Sequence, residues 1–280
     1  MSTRAAPVPT PTPTTTRTRT VEVRPVTARR VLLSEWVKLR SLRSTAWTLL
    51  SAVVLMIGIG WLAGWGARDT WSELSPQEQA TFSPVDVTLA GFYLAQLAVS
   101  VLGVLLVTGE YATGMVRATF AAAPRRLPVL WAKAVLFAGV TFLLMLLAAV
   151  AAFLGGQRLL GEHGTTLSEA GSIRGIIGVA GYLTVVAALA VALGFIIRST
   201  AGGVATMCGL LLVAPTAGLL LPISWREQML PYLPSNAGAA AFSAQPAPDS
   251  LSAAAGSTAL AVWLLAAVTS AALVLTRRDV

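Results

Sequence analysis

Six stretches of the chain contain no Asp, Glu, Lys, Arg or His, and each is bounded by ionisable residues: 44–67, 87–109, 134–157, 175–197, 199–225 and 250–276. They run from 23 to 27 residues. A helix rises about 1.5 Å per residue, so roughly 20 apolar residues cross a hydrocarbon core of about 30 Å. Lipid offers no partner to a backbone N–H or C=O, so such runs span as helices that satisfy those groups internally. The pattern therefore predicts an all-α membrane protein with six transmembrane helices, near 45–66, 88–109, 130–155, 174–197, 202–222 and 254–276. A seventh uncharged window, Gln228–Pro248, holds Pro231, Pro234, Pro246 and Pro248 together with Asn236 and Gln245. Four prolines break helical pairing, so this window is read as an outer-face segment that touches or dips into the membrane, its backbone sheltered by protein.

Residues 1–28 are a different material. Alternating Pro and Thr with scattered Arg (PVPTPTPTTTRTRT at 7–20) build no core, and the reading is a disordered cytoplasmic tail ahead of a single six-helix transmembrane domain at 29–280. The first apolar run lies beyond this tail and is longer than the roughly 7–15 residues of a signal-peptide core.

Composition agrees with the pattern. Hydrophobic residues make up 55% of the chain and charged residues 11%, against roughly 25% charged in a soluble domain. The net charge of +8 is spread between the apolar runs, so it reads as membrane orientation rather than nucleic-acid binding. With the N-terminus inside, 16 of the 20 basic residues fall on inner segments. The excess of basic residues on inner loops then puts both termini on the cytoplasmic side of a plasma membrane. Trp47 sits near the inner edge of the first span, and Trp61, Trp65 and Trp71 near its outer edge, at headgroup depth.

Little in the chain could carry chemistry. There is one cysteine, Cys208, and one histidine, His163, which excludes an internal disulfide and a His/Cys zinc cluster. Neither lysine, Lys38 or Lys133, follows a glycine, so no P-loop cradles a nucleotide. Uncharged spans argue against a proton-coupled carrier, which needs ionisable groups at depth, and less strongly against sodium coupling through carbonyls. No HExxH or GxSxG occurs. His163 reads as a loop residue and Cys208 as a small packed hydrophobe. We expect no catalytic site, cofactor or metal. The few polar span residues, such as Gln96, Thr141 and Thr184, lean towards a hydrophobic cargo. In the fifth span Gly202, Gly203, Gly209 and Gly218 suggest close packing, with a kink at Pro215.

Two inner-face segments stand out. In Val31–Trp47, Leu32, Trp36 and Leu39 share a helical face, with Ser34, Lys38 and Ser41 broadly opposite. This reads as an interfacial helix on the inner leaflet, with Glu35, Trp36 and Lys38 as its marked residues, or as a basic stop signal that sets topology. In Glu110–Lys133, a helix would align Tyr111, Met115, Ala118 and Ala122 on one strip. Glu110, Gly114 and Arg117 would align on another, at steps of four and three. Pro124 stops the helix, and Arg125 and Arg126 follow. One reading is a docking helix that presents a charge pair around a glycine gap; the other is an ordinary amphipathic connection.

On these residues the chain resembles the membrane subunit of a type-2 ATP-binding-cassette exporter, in its small actinobacterial-like six-span form. The matching elements are SEWVKLRS at 34–41, EYATGMVRATFAAAPRR at 110–126 with Lys133 beyond, and LPYLPSNA at 230–237. The resemblance covers the six-span order over about residues 28–280. It implies an N-terminal interfacial helix, a cytoplasmic coupling helix after the second span and a re-entrant outer segment before the sixth. It also implies a homodimer or a pairing with a second permease, and a separate cytoplasmic ATPase that supplies the energy. Glu110, Gly114, Arg117, Pro124, Arg125, Arg126 and Lys133 occupy the coupling positions. Many relatives carry a basic or aromatic residue and a His or Arg where this chain has Ala112 and Thr113. The competing reading is a non-transporting membrane scaffold or regulatory subunit.

Overall fold

The computed structural model describes residues 27–122, 126–246 and 250–277, and the described residues form helices without a strand. In chain order these are α1 (Ala28–Ser41), α2 (Arg43–Asp69), α3 (Pro76–Ala80), α4 (Pro84–Leu89), α5 (Phe92–Ala112), α6 (Met115–Ala122) and α7 (Leu127–Leu160). They continue as α8 (Ser172–Ile197), α9 (Thr200–Cys208), α10 (Ala214–Gly218), α11 (Ile223–Met229), α12 (Pro234–Phe242) and α13 (Ala253–Arg277). The expected tail at 1–28 lies almost wholly outside the described residues.

Six stretches of the described chain are long and apolar enough to cross a membrane: Arg43–Asp69, Pro84–Ala112, Leu127–His163, Ser172–Ile197, Thr200–Gly218 and Ala253–Arg277. They match the six predicted spans in number and order, and they fit a multi-pass membrane protein. The window 228–248 contributes none. The spans run in alternating directions, so α1, α6 and the end of α13 gather at one end of the bundle. Arg126 Nη1, at the start of α7, donates to the Leu275 carbonyl of α13 at 3.2 Å and ties the end of α13 to this end of the bundle.

The helix α8 is the centre of the bundle, and 67% of its most apolar window is buried. It packs against α5 and α7, while α2 flanks them and α13 closes the other side. Its buried row includes Val179, Leu183, Val186, Ala187, Ala190 and Val191. On α2 the buried row is Leu49, Ala52, Met56, Gly60 and Gly64, so the contact narrows to glycine as the helix nears α4 and α7. Small residues let backbones approach where hydrophobic exclusion from lipid gives no driving force.

Pro215 has the predicted local effect in a specific form. It lacks an N–H, so the i→i−4 pairing cannot continue through it. The chain makes a π-helical turn at Gly209–Val213 and resumes as α10 with the proline in its first turn. Of the span's glycines, Gly203 is crowded by Val104 and Gly218 by Leu230, whereas Gly209 has open space beside it.

The proline-rich window folds as α11, a 3-10 turn at Leu230–Tyr232, and α12. The helix α12 packs against α8 and α13 at the end of the bundle opposite α1. Phe242 meets Phe92 edge-on with ring centroids 4.9 Å apart. Trp263 Nε1 donates to the Tyr232 carbonyl at 2.9 Å, and Asn236 Nδ2 to the Leu230 carbonyl at 2.8 Å. Protein thus satisfies polar groups that lipid could not.

Asp86 in α4 fastens the end of this segment. Its carboxylate accepts from Ser243 Oγ at 2.7 Å, the Ala244 N–H at 2.9 Å and the Gln245 N–H at 3.3 Å. Hydrogen bonds to a charged acceptor contribute about 1.5–3 kcal/mol each. Asp86→Ala is therefore expected to lower the free energy of local opening by about 2 kcal/mol, a roughly 30-fold faster amide exchange over 234–246. Exchange in α8 should stay unchanged; equal acceleration in both would show global rather than local loosening.

Candidate functional site

The two inner-face segments marked in the sequence meet. Glu35 and Lys38 come from α1, one turn apart on the same side. Glu110 comes from the last turn of α5 and Lys133 from the second turn of α7. Lys38 Nζ donates to Glu35 Oε1 at 2.7 Å and to Glu110 Oε1 at 3.0 Å. Lys133 Nζ donates to Glu35 Oε2 at 2.5 Å and to Glu110 Oε1 at 2.9 Å. Two acids and two ammonium groups thus alternate in a closed ring. The Glu35 and Lys133 side chains are only 4% and 5% exposed, Glu110 is 13% exposed and Lys38 25%. Thr119 Oγ1 in α6 accepts a third bond from Lys38 at 3.3 Å, so the ring touches α1, α5, α6 and α7.

Burial alone would pull the Lys38 ammonium below its usual value. Hydrogen bonds from Glu35 and Glu110, and their charges, outweigh that and hold it above 10.5. Lys38 therefore keeps its charge through the physiological range.

Gly114 separates Glu110 from the segment that follows it. It has φ +72, a left-handed conformation that favours glycine. The helix α5 stops there, with the Thr113 N–H bonded to the Gly109 carbonyl and the Gly114 N–H to the Tyr111 carbonyl. A new axis begins at Met115. This corrects the expected alignment, since one continuous helix through 110–122 would have set Arg117 beside Glu110. Instead Glu110 faces two lysines, while Arg117 is exposed and forms no ion pair among the described residues. The apolar strip is corrected by the same break, with Met115 exposed and Val116 buried.

In α1 the buried row is Val31, Glu35 and Leu39. Of the predicted row Leu32, Trp36 and Leu39, only Leu39 is buried; Trp36 is 42% exposed. The reason is electrostatic. The ring requires Glu35 to point into the bundle, and this rotates Trp36 outward. Arg126 opens α7 and lies over the Phe120 ring at 5.5 Å. Pro124 and Arg125 lie outside the described residues.

No protein-family model matches the chain, and no curated protein matches it.

Two contributors were not marked by sequence. Thr119 enters the ring's hydrogen bonding. Arg198, at the end of α8, lies over the Tyr111 ring at 5.3 Å, one residue from Glu110. Its φ of 58 is the one left-handed non-glycine backbone among the described residues. The ionisable boundary of the fourth window pointed to Arg198, but nothing in one sequence pairs it with α5.

The arrangement holds no nucleophile–base pair. It ties α1, α5 and α7 together by charge and the short helix α6 through the Thr119 hydroxyl.

Proposed function

We propose that the chain is the membrane-spanning subunit of an ATP-driven exporter of the ATP-binding-cassette type, moving a hydrophobic cargo across the plasma membrane with a separate ATPase. The observation that carries the reading is the ring of Glu35, Lys38, Glu110 and Lys133. It bonds the N-terminal helix to the segment that the resemblance assigns to coupling. In this reading α6 is the coupling helix, and Arg117 is its contact with the ATPase. Force on α6 reaches α1, α5 and α7 through Thr119 and the ring. The basic-residue distribution supports a cytoplasmic position for this end and for both termini. The helix α1 then rests on the inner leaflet with Leu33, Trp36 and Val37 turned outward. The α11–α12 segment is the re-entrant element of the outer face, and the working unit is a homodimer or a pairing with a second permease.

Copurification tests this reading. Co-expressed with a candidate ATPase subunit from the same genome, the chain should yield a complex whose ATP hydrolysis depends on both proteins. A solubilised chain that never retains an ATPase would refute it. Arg117→Glu should weaken ATPase association at least 10-fold while insertion and thermal stability stay unchanged. Undiminished recruitment by that variant counts against α6 as the contact. A stable ATPase complex that moves no cargo would instead favour a scaffold role.

A further inference from the structure

Beside the charged ring lies a cavity of about 440 Å³ between α1, α2, α5 and α7. That falls within the range of small-molecule sites, roughly 300–1,000 Å³. Its two ends differ. The deeper end is leucine, with Leu102, Leu105 and Leu106 on α5 and Leu136 on α7. The end near the helix termini holds the charged and hydroxyl side chains, set among Leu39, Leu42 and Met115, and Leu102 lies about 10 Å along α5 from Gly109. A head group at one depth and an apolar chain at another is the shape of an amphiphile.

Hydrogen bonding decides which head group fits. Ser41, Thr48 and Thr113 donate their hydroxyls to the carbonyls of Lys38, Ser44 and Gly109, so lone pairs remain for a ligand. Lys38 spends all three of its N–H bonds on Glu35, Glu110 and Thr119. Lys133 spends two on carboxylates and is almost fully buried. Glu110 lines the cavity, and both its ring bonds use Oε1; Oε2 carries no hydrogen bond among the described residues. The Ser44 and Thr45 hydroxyls also line this end and can donate, so it offers several acceptors, one of them a carboxylate oxygen, against two hydroxyl donors. An anionic head would be repelled by the Glu110 carboxylate, whereas an ammonium head donates to its free Oε2 and to the hydroxyl lone pairs and carries the opposite charge.

We propose that this cavity is a binding site for an amphiphile with a primary ammonium head, held by Glu110 Oε2 and the hydroxyls, with its chain along the α5 leucines. The site is independent of the transport reading, because binding requires only this chain.

The test uses the full chain in phosphatidylcholine nanodiscs, whose lipid heads have no N–H donors, with dodecylammonium, dodecyl sulfate and dodecanol as probes. Binding is measured by equilibrium dialysis after subtracting empty discs. We expect one saturable dodecylammonium site per chain, at least 10-fold tighter than for either other probe. Leu105→Trp fills the apolar end without touching the ring, and should reduce binding at least 10-fold at an unchanged melting temperature. Glu110→Gln should also lose it, but it disturbs the ring, so Leu105→Trp is the deciding variant. Equal binding of the three probes, or unchanged binding in Leu105→Trp, would overturn the proposal. Repetition in phosphatidylethanolamine discs separates the sources. Competition there marks bilayer lipid as an occupant, and undiminished binding marks free amphiphiles; both support an ammonium site.

Discussion

Replacing Lys133 with methionine is expected to destabilise the folded chain by about 3–5 kcal/mol, the usual cost of breaking a buried ion pair from one side. The substitution keeps the unbranched stem and removes the terminal ammonium. Glu35 loses its 2.5 Å partner and Glu110 its 2.9 Å partner. Lys38 alone then faces two carboxylates, one of them 4% exposed. A carboxylate at that depth has little water to turn to. The double variant Glu35→Gln with Lys133→Met should recover about half of the loss, because it restores charge balance. Lys38→Met should cost less than Lys133→Met, since Lys38 is 25% exposed and water screens its pairs. Unfolding can be followed through the single cysteine, Cys208, whose thiol is half-buried in α9. A loss below about 1 kcal/mol for Lys133→Met would show that the ring is not a structural tie.

Gly91→Val is expected to cost about 3 kcal/mol, by a different mechanism. A Cβ at Gly91 would lie 2.2 Å from the Met56 carbonyl oxygen. The neighbouring contact is its mirror, since a Cβ at Gly60 would lie 2.2 Å from the Thr88 carbonyl oxygen. In both cases the obstacle is backbone, which cannot swing aside as a side-chain tip can. The helix α2 would have to move away from α4 and α5, opening contacts along the buried row from Leu49 to Gly64. Gly58→Val is the control. Nothing lies within 4 Å of its added Cβ, so its effect should stay within about 0.5 kcal/mol. Equal melting temperatures for the two variants would rule out close backbone approach as the cause.

These two predictions differ in how far the sequence foretold them. Glu35, Lys38, Glu110 and Lys133 were all marked, as members of two segments read as separate. Glu35 and Lys38 are one turn apart, so their pairing is local. Glu110 lies 72 residues from Lys38, and Lys133 lies 98 residues from Glu35. Spacing within a segment says nothing about such pairs. Arg117 was expected beside Glu110 because a continuous helix was assumed, but the left-handed Gly114 separates them. Gly60 and Gly91 were not marked. The glycines of the fifth span drew notice by their number, yet two backbones meet where α2 crosses α4 and α5.

Charge order and apolar run length dictate the number of spans, the failure of the seventh window and the span boundaries to within four residues, except that the third runs on to His163 rather than 155. The reason is solvent: a helix in lipid must be apolar over about 20 residues wherever it sits, so each span declares itself without its neighbours. The same uniformity hides packing. A helix apolar on every side has no polar face to show which side meets protein, so the central place of α8 emerges only when the helices assemble. The charged ring belongs with that second class. Each of its residues is an ordinary flank charge in the sequence, and the meeting of three helix ends makes them partners.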